Sequence, residues 1–256
     1  MPPDGPYGGH GLPVQWDAPD TVQALMSTRH GGRSVGPYGY LNLGDHVGDD
    51  ADAVADNRAT WAAQMQGARP VWLRQVHGAQ VVDAAQALRL DAAPTADGCW
   101  TSEPGVACVI QVADCLPVLF AARNARAVGA AHAGWRGLAL GVVERTARAV
   151  ACAAGCDLSA LACWLGPCIG PGRFEVGAEV VQAFGGGPRF AWRPRPDGQP
   201  RWLADLPGLA RDRLQALGLA SASGGRWCTV EDPSNFFSFR RDGLTGRMAA
   251  AVWLRP

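Results

Sequence analysis

The chain has 256 residues, of which 48% are hydrophobic and 18% charged, a profile that excludes intrinsic disorder and allows a sizeable buried core. Its 23 basic and 23 acidic residues cancel, which excludes an overall field drawing it to nucleic acid or an anionic membrane. Every basic residue is arginine, so any phosphate site must use guanidinium or backbone N–H groups.

Residues 1–10 are rich in proline and glycine and contain no apolar signal-peptide core, and residues 1–12 are expected to fray. No later run reaches the roughly 18 apolar residues of a membrane span. This points to a cytoplasmic protein with reduced cysteines, among which Cys152, Cys156, Cys163 and Cys168 read as buried small residues.

Ser27-Thr-Arg-His-Gly-Gly32 and the segment Pro37 to Gly44 place polar residues between glycines, the composition of a loop that lines a site or of an Ω-loop. Asp52 to about Met65 reads as a helix. Val71 to His77 reads as a strand, with Val71, Leu73, Gln75 and His77 on one face and His77 at its end beside Gly78. Val106 to Ala113 is a continuous apolar run, the pattern of a strand buried on both faces, and Pro117 to Ala121 reads as its continuation past a bend.

Ala127 to His132 predicts another strand, Leu138 to about Ala153 one helix, and Leu206 to about Leu217 a further helix. Gly185 to Pro200, rich in glycine and proline, reads as a surface loop. An Asp242-Gly243 turn precedes a strand over Gly246 to Leu254. Strands separated by helices give a mixed α/β fold in one domain spanning residues 1–256.

Three nitrogen or sulfur donors, His77, Cys115 and His132, stand at the ends of apolar strands. Their long spacings are not a zinc-finger signature, and each alone reads equally as a hydrogen-bonded histidine or an inert cysteine. His30 and His46 rank below them as metal ligands. His132-Ala-Gly-Trp-Arg-Gly137 runs from a strand into a helix and reads either as a turn suited to an anion, with Arg136 as a bidentate donor, or as an ordinary tight turn with Trp135 as a core anchor.

Taken together, STRHGG, PYGYLNLGDHVGDD, WLRQVHG, TADG, VADCLPVLF, AAHAGWRG, LGPCIGPGRFEVG and CTVEDPSNFFSFRRDGLTGR resemble, in content and order, the motifs of the YfiH-like family. Members have been called polyphenol oxidase or laccase-domain protein, peptidoglycan editing factor and purine nucleoside phosphorylase. The resemblance runs from about Val14 to Leu254. It implies a four-layer α-β-β-α sandwich and a metal bound by His77, Cys115 and His132, with Zn²⁺ expected and Cu²⁺ an alternative. It implies phosphate-dependent cleavage of adenosine, inosine, guanosine and methylthioadenosine, with adenosine deamination in some members. Where many relatives carry cysteine, this chain has Gly172 and Arg173.

Two neutral imidazoles and one thiolate leave zinc an open fourth position, the pattern of a catalytic rather than structural site. On that reading Asp114 and Glu175 are candidates to carry protons, Arg29 and Arg136 to hold phosphate, and Asn42 and Gln75 to bind the nucleoside. The alternative is an amide hydrolase editing a peptidoglycan precursor, through zinc-activated water or a Cys115/His132 nucleophile–base pair. A multicopper oxidase needs more than the five histidines present. The expected partners are a small nucleoside and phosphate, with no nucleic acid and no membrane, in a monomer or homodimer.

Overall fold

The structure is a computed structural model that describes residues 11–219 and 222–256. Its layering follows from two strands that lack any polar alternation, β5 (Val106–Val112) and β13 (Met248–Leu254), buried at every position. A strand covered on both faces has no solvent side on which to place polar residues. These two pair antiparallel at the centre of a four-stranded sheet, flanked by β1 (Val22–Met26) beside β13 and by the parallel β2 (Arg69–Val71) beside β5.

The second sheet has six strands: β3 (Val81–Asp83), β4 (Gly98–Thr101), β6 (Leu116–Ala122), β7 (Val128–Ala133), β8 (Leu161–Leu165) and β12 (Ser223–Gly224). Their order is β12-β8-β6-β7-β4-β3. The sheets meet face to face. Cys108, Ile110, Ala250 and Val252 from the first pack with Leu119, Ala121, Val128 and Ala130 from the second.

The opposite face of the first sheet, with Ala107, Val109, Ala251 and Trp253, is covered by Trp61 and Met65. Trp61 lies on helix α1 (Ala51–Ala62), whose N-terminus is capped by the Asp50 side chain accepting from Ala53 N. The outer face of the second sheet, with Val118, Phe120 and Ala131, packs on α4 (Val142–Ala154) and α6 (Leu206–Ala216). The result is the α-β-β-α sandwich that the motif resemblance implied. The remaining elements are short: α2 (Ala84–Ala87), α3 (Trp135–Ala139), α5 (Ala178–Ala183), α7 (Phe239–Asp242), and a small sheet of β9 (Glu175–Val176), β10 (Phe190–Trp192) and β11 (Trp202–Ala204). Among the described residues no helix is long and apolar enough to cross a membrane.

The structure differs from the sequence reading in several details, among them Cys152, which is exposed rather than buried, and Cys156, which is half-buried. The strand over Val71 to His77 ends at Val71, and beyond it only Arg74 makes an isolated bridge, to Thr95. The run from Pro117 is not a continuation of β5 but a strand of the other sheet, reached through Ala113-Asp114-Cys115. The single helix from Leu138 is two, divided at Gly141, whose φ of +88° stops the first. The loop from Gly185 to Pro200 contains β10. The fraying expected for residues 1–12 falls mostly outside the described residues, but Leu12 is buried and bridged to Met26.

Candidate active site

His77, Cys115 and His132 converge where the two sheets meet. Their donor atoms all lie within 4.8 Å of one another. Cys115 Sγ is 3.7 Å from His77 Nε2, and the two imidazoles stand edge to face with centroids 4.8 Å apart. Tetrahedral zinc, with Zn–N of about 2.0–2.1 Å and Zn–S of about 2.3 Å, spaces N and S ligands by roughly 3.6 Å. The trio therefore fits a metal ion with little rearrangement.

Each ligand reaches this point by a different route. His132 belongs to β7, opposite Pro117 of β6. Cys115 immediately precedes β6 and follows Asp114, whose φ of +92° turns the chain from one sheet to the other. His77 itself adopts φ +61° in the loop after β2. Left-handed backbone is costly for a residue with a Cβ, so something must hold that loop.

The buried carboxylate of Asp97, just before β4, holds it. Oδ1 accepts from His77 N at 2.8 Å, and Oδ2 from Val76 N at 3.1 Å and Gly78 N at 2.7 Å. Oδ1 also accepts from His132 Nδ1 at 2.8 Å, which leaves His132 Nε2 free to face the other ligands. Burial opposes ionisation of Asp97, but the bonds from His132, Gly78 and Val76 outweigh it and keep the carboxyl below its ordinary value. Burial likewise opposes the Cys115 thiolate. The His132 charge and the hydrogen bonds of both imidazoles prevail and bring the thiol down to about 6. Burial pulls His132 down, yet Cys115 and Asp97 raise it to about 9.

The trio lies in a cleft of about 500 Å³. Trp135, Phe174 and Phe239 give it aromatic walls, and Arg136, Arg240 and Arg247 give it positive charge. The three guanidiniums meet neutral partners. Arg136 stacks on Trp135 at 4.5 Å, Arg240 donates to the Glu175 carbonyl, and Arg247 donates to the carbonyls of Thr245 and Gly246. A site with uncompensated guanidiniums beside a metal-ligand trio is built to hold an anion.

The other sequence candidates divide. Gln75 lines the cleft, but its amide is engaged at both ends by the Gln111 backbone of β5, extending the ladder where β2 has stopped. Asp114 also lines it, with its oxygens accepting from Thr229 Oγ1 and Arg240 N. The structure does not bring Arg29, Asn42 or Glu175 to the cleft. The Arg29 guanidinium bonds to the carbonyls of Gly39 and Pro233 and stacks on Phe237. Asn42 is fully buried, donating to Gly44 O and Asp49 and accepting from Gly44 N and Arg247 N. Glu175 pairs with Arg195 in an adjoining cavity of about 350 Å³ that shares Trp135, Phe174 and Arg240 with the cleft.

Sequence reasoning missed Asp97, Arg240 and Arg247, and it ranked His46 low. All four fall within quoted motifs, but spacing alone does not reveal which groups they face. His46 lines the cleft without belonging to the trio.

The family model described as multi-copper polyphenol oxidoreductase laccase matches residues 23–255. A protein of Pseudomonas aeruginosa named purine nucleoside phosphorylase is 46% identical over 249 residues, covering 95% of this chain and 98% of that protein. The Escherichia coli purine nucleoside phosphorylase YfiH is 46% identical over 245 residues, covering 94% and 97% respectively. A solved Neisseria meningitidis structure of the DUF152 family superposes with a TM-score of 0.87 at 42% identity, covering 96% of this chain and 100% of that one. With a match across 23–255 and the motifs in family order, this chain belongs to the YfiH-like, laccase-domain family.

Proposed function

We propose that the chain is a zinc-dependent purine nucleoside phosphorylase, converting adenosine and related nucleosides with phosphate to free base and ribose 1-phosphate. The observation that carries this reading is the His77/Cys115/His132 trio in a cleft with three guanidiniums that have no ion-paired carboxylate among the described residues. The P. aeruginosa and E. coli relatives, both named purine nucleoside phosphorylase, supply the substrate class. The trio is the one metal-capable cluster found among the described residues, which favours a mononuclear site over a multicopper centre. When bound, zinc would supply a Lewis acid with an open coordination position.

The chain's own residues divide the remaining work. Arg136, Arg240 and Arg247 hold phosphate, and Trp135, Phe174 and Phe239 offer aromatic faces to the purine. Asp114 fixes the start of α7, and with it Arg240, through the Arg240 N–H. Asp97 orients His132. Soluble nucleoside and phosphate accord with a cytoplasmic location.

The test is product analysis of metal-quantified protein incubated with adenosine, with and without phosphate, beside Cys115→Ala. Phosphate-dependent adenine, lost together with the metal in the variant, supports the reading, and inosine would report deamination. Zinc-loaded protein that yields neither product overturns it.

A second reading, amide hydrolysis as in editing of a peptidoglycan precursor, is favoured by one observation. Cys115, His132 and Asp97 stand in the order nucleophile, base and orienting carboxylate. It requires that chelation leave activity intact or raise it.

A further inference from the structure

We infer that His46 is the catalytic acid that protonates the departing purine, an assignment that rests on the phosphorylase reading. Breaking the C1′–N9 bond leaves its electron pair on the base, so the purine must gain a proton, at N7, as it departs.

Few groups lining the cleft can donate a proton. His77, Cys115 and His132 are the metal ligands. Both oxygens of Asp114 accept bonds from Thr229 and Arg240 N. Arg136, Arg240 and Arg247 are guanidiniums, which do not give up a proton. Gln75 and Gln111 are amides, and the remaining lining residues are apolar, aromatic or glycine. Only the His46 imidazole remains, and imidazole is the side chain suited to giving and regaining a proton near neutrality.

The surrounding structure presents it. Asp45 Oδ1 lies 3.3 Å from His46 Nδ1, a contact that leaves Nε2 of the cleft-lining imidazole for a ligand. Arg58 of α1 braces the loop from one side, bonding Leu43 O at 2.9 Å and Asp45 at 3.1 Å. Tyr38 Oη donates to Val47 O at 2.8 Å from the other. Gly44 lies flat on Arg247, since a Cβ there would be 2.7 Å from Arg247 Cγ. The charged groups around His46 are thus Asp45 with Arg58 behind it, and Arg247 within the cleft. Five bonded or packed contacts holding one short exposed loop make little sense for a segment with no task at the site.

The step balances. The C1′–N9 bond breaks, its electron pair passes to the base, and N7 takes the proton from His46 Nε2. Hydrogen phosphate forms the new bond to C1′, and the proton it releases on becoming ribose 1-phosphate restores the imidazolium.

The experiment compares wild type and His46→Gln on adenosine and on 7-methylguanosine, whose N7 is already quaternary and departs without protonation. The expected result is a loss of roughly 100-fold in kcat/KM on adenosine, with 7-methylguanosine affected less than about threefold and zinc content unchanged. Equal losses on both substrates, or adenosine cleavage within about threefold of wild type, would overturn the assignment of His46 alone. Failure of the wild type to cleave either nucleoside would overturn the phosphorylase reading itself and this assignment with it.

Discussion

Asp97 Oδ1 accepts a hydrogen bond from His132 Nδ1 and another from the backbone N–H of His77, both at 2.8 Å, so one carboxylate oxygen aligns two of the three proposed metal ligands. Its partner oxygen closes the Val76–Gly78 loop. Asp97→Asn keeps the shape but replaces an acceptor by a donor that faces other donors. Zinc affinity should fall about 10- to 100-fold, as read by competition with a chromogenic chelator.

The same carboxylate makes a prediction for metal-free protein. The folded Asp97 carboxyl sits below its unfolded value of about 3.9, so the stabilisation it confers is complete above that value. It is lost as pH falls through the depressed folded value. Thermal melts in chelator should therefore show Asp97→Asn clearly less stable than wild type at pH 7. The gap should narrow on acidification below about pH 4; a gap that widens would show that Asp97 is not held as a carboxylate.

Gly134 marks how little room the trio leaves. A Cβ there would lie 2.8 Å from Cys115 Sγ and 3.1 Å from His77 Cδ2, while its backbone, at φ −62° and ψ 158°, is open to any residue. Gly134→Ala should fold with a near-native melting temperature when metal-free and yet bind zinc weakly. Wild-type zinc stoichiometry in this variant would mean that the ligands sit farther from Gly134 than described.

Cys115 should be the reactive thiol of the metal-free protein. With its thiol brought down to about 6, the thiolate predominates at pH 7. Iodoacetamide should then label Cys115 several-fold faster than the exposed Cys152, with the rate falling below about pH 6 and zinc protecting the site. Peptide mapping of the alkylated protein checks each part.

Two arginines should behave oppositely. Arg247→Gln removes a guanidinium that lines the cleft, and the KM for phosphate should rise by roughly tenfold or more, from loss of a charge-assisted bond of about 1.5–3 kcal/mol. Arg29→Gln removes bonds to the carbonyls of Gly39 and Pro233 away from the cleft. It should lower the melting temperature and leave the phosphate KM unchanged. Phosphate titrations of both variants decide the matter.

What the sequence reveals depends on how far each residue's partner lies. The apolar run of β5 is fully buried as read, α6 falls within a residue of its expected limits, and α1 ends three residues early only because its last turn, Ala63–Met65, tightens to 3₁₀; burial and helix propensity are local properties. The strand through His77 fails for a long-range reason. Val71 ends β2, and the Asp97 side chain, not a ladder, governs the loop that follows. Arg29 and Asn42 look like ligand groups because they sit between glycines. Both instead satisfy backbone groups, and no local pattern distinguishes a guanidinium facing a carbonyl from one facing a cleft. Asp97 within TADG looks like an ordinary turn aspartate until the fold carries His132 to it.

The sheet order also constrains how the molecule is made. β13 inserts between β1 and β5, which do not pair with each other and are both synthesised long before it. On the ribosome β1 has no neighbour in its sheet until β13 emerges. The wall bearing Gln111 and Arg247 is likewise incomplete until that moment. Completion of the cleft should therefore wait for β13, and the waiting edges of β1 and β5 are where a chaperone would be needed.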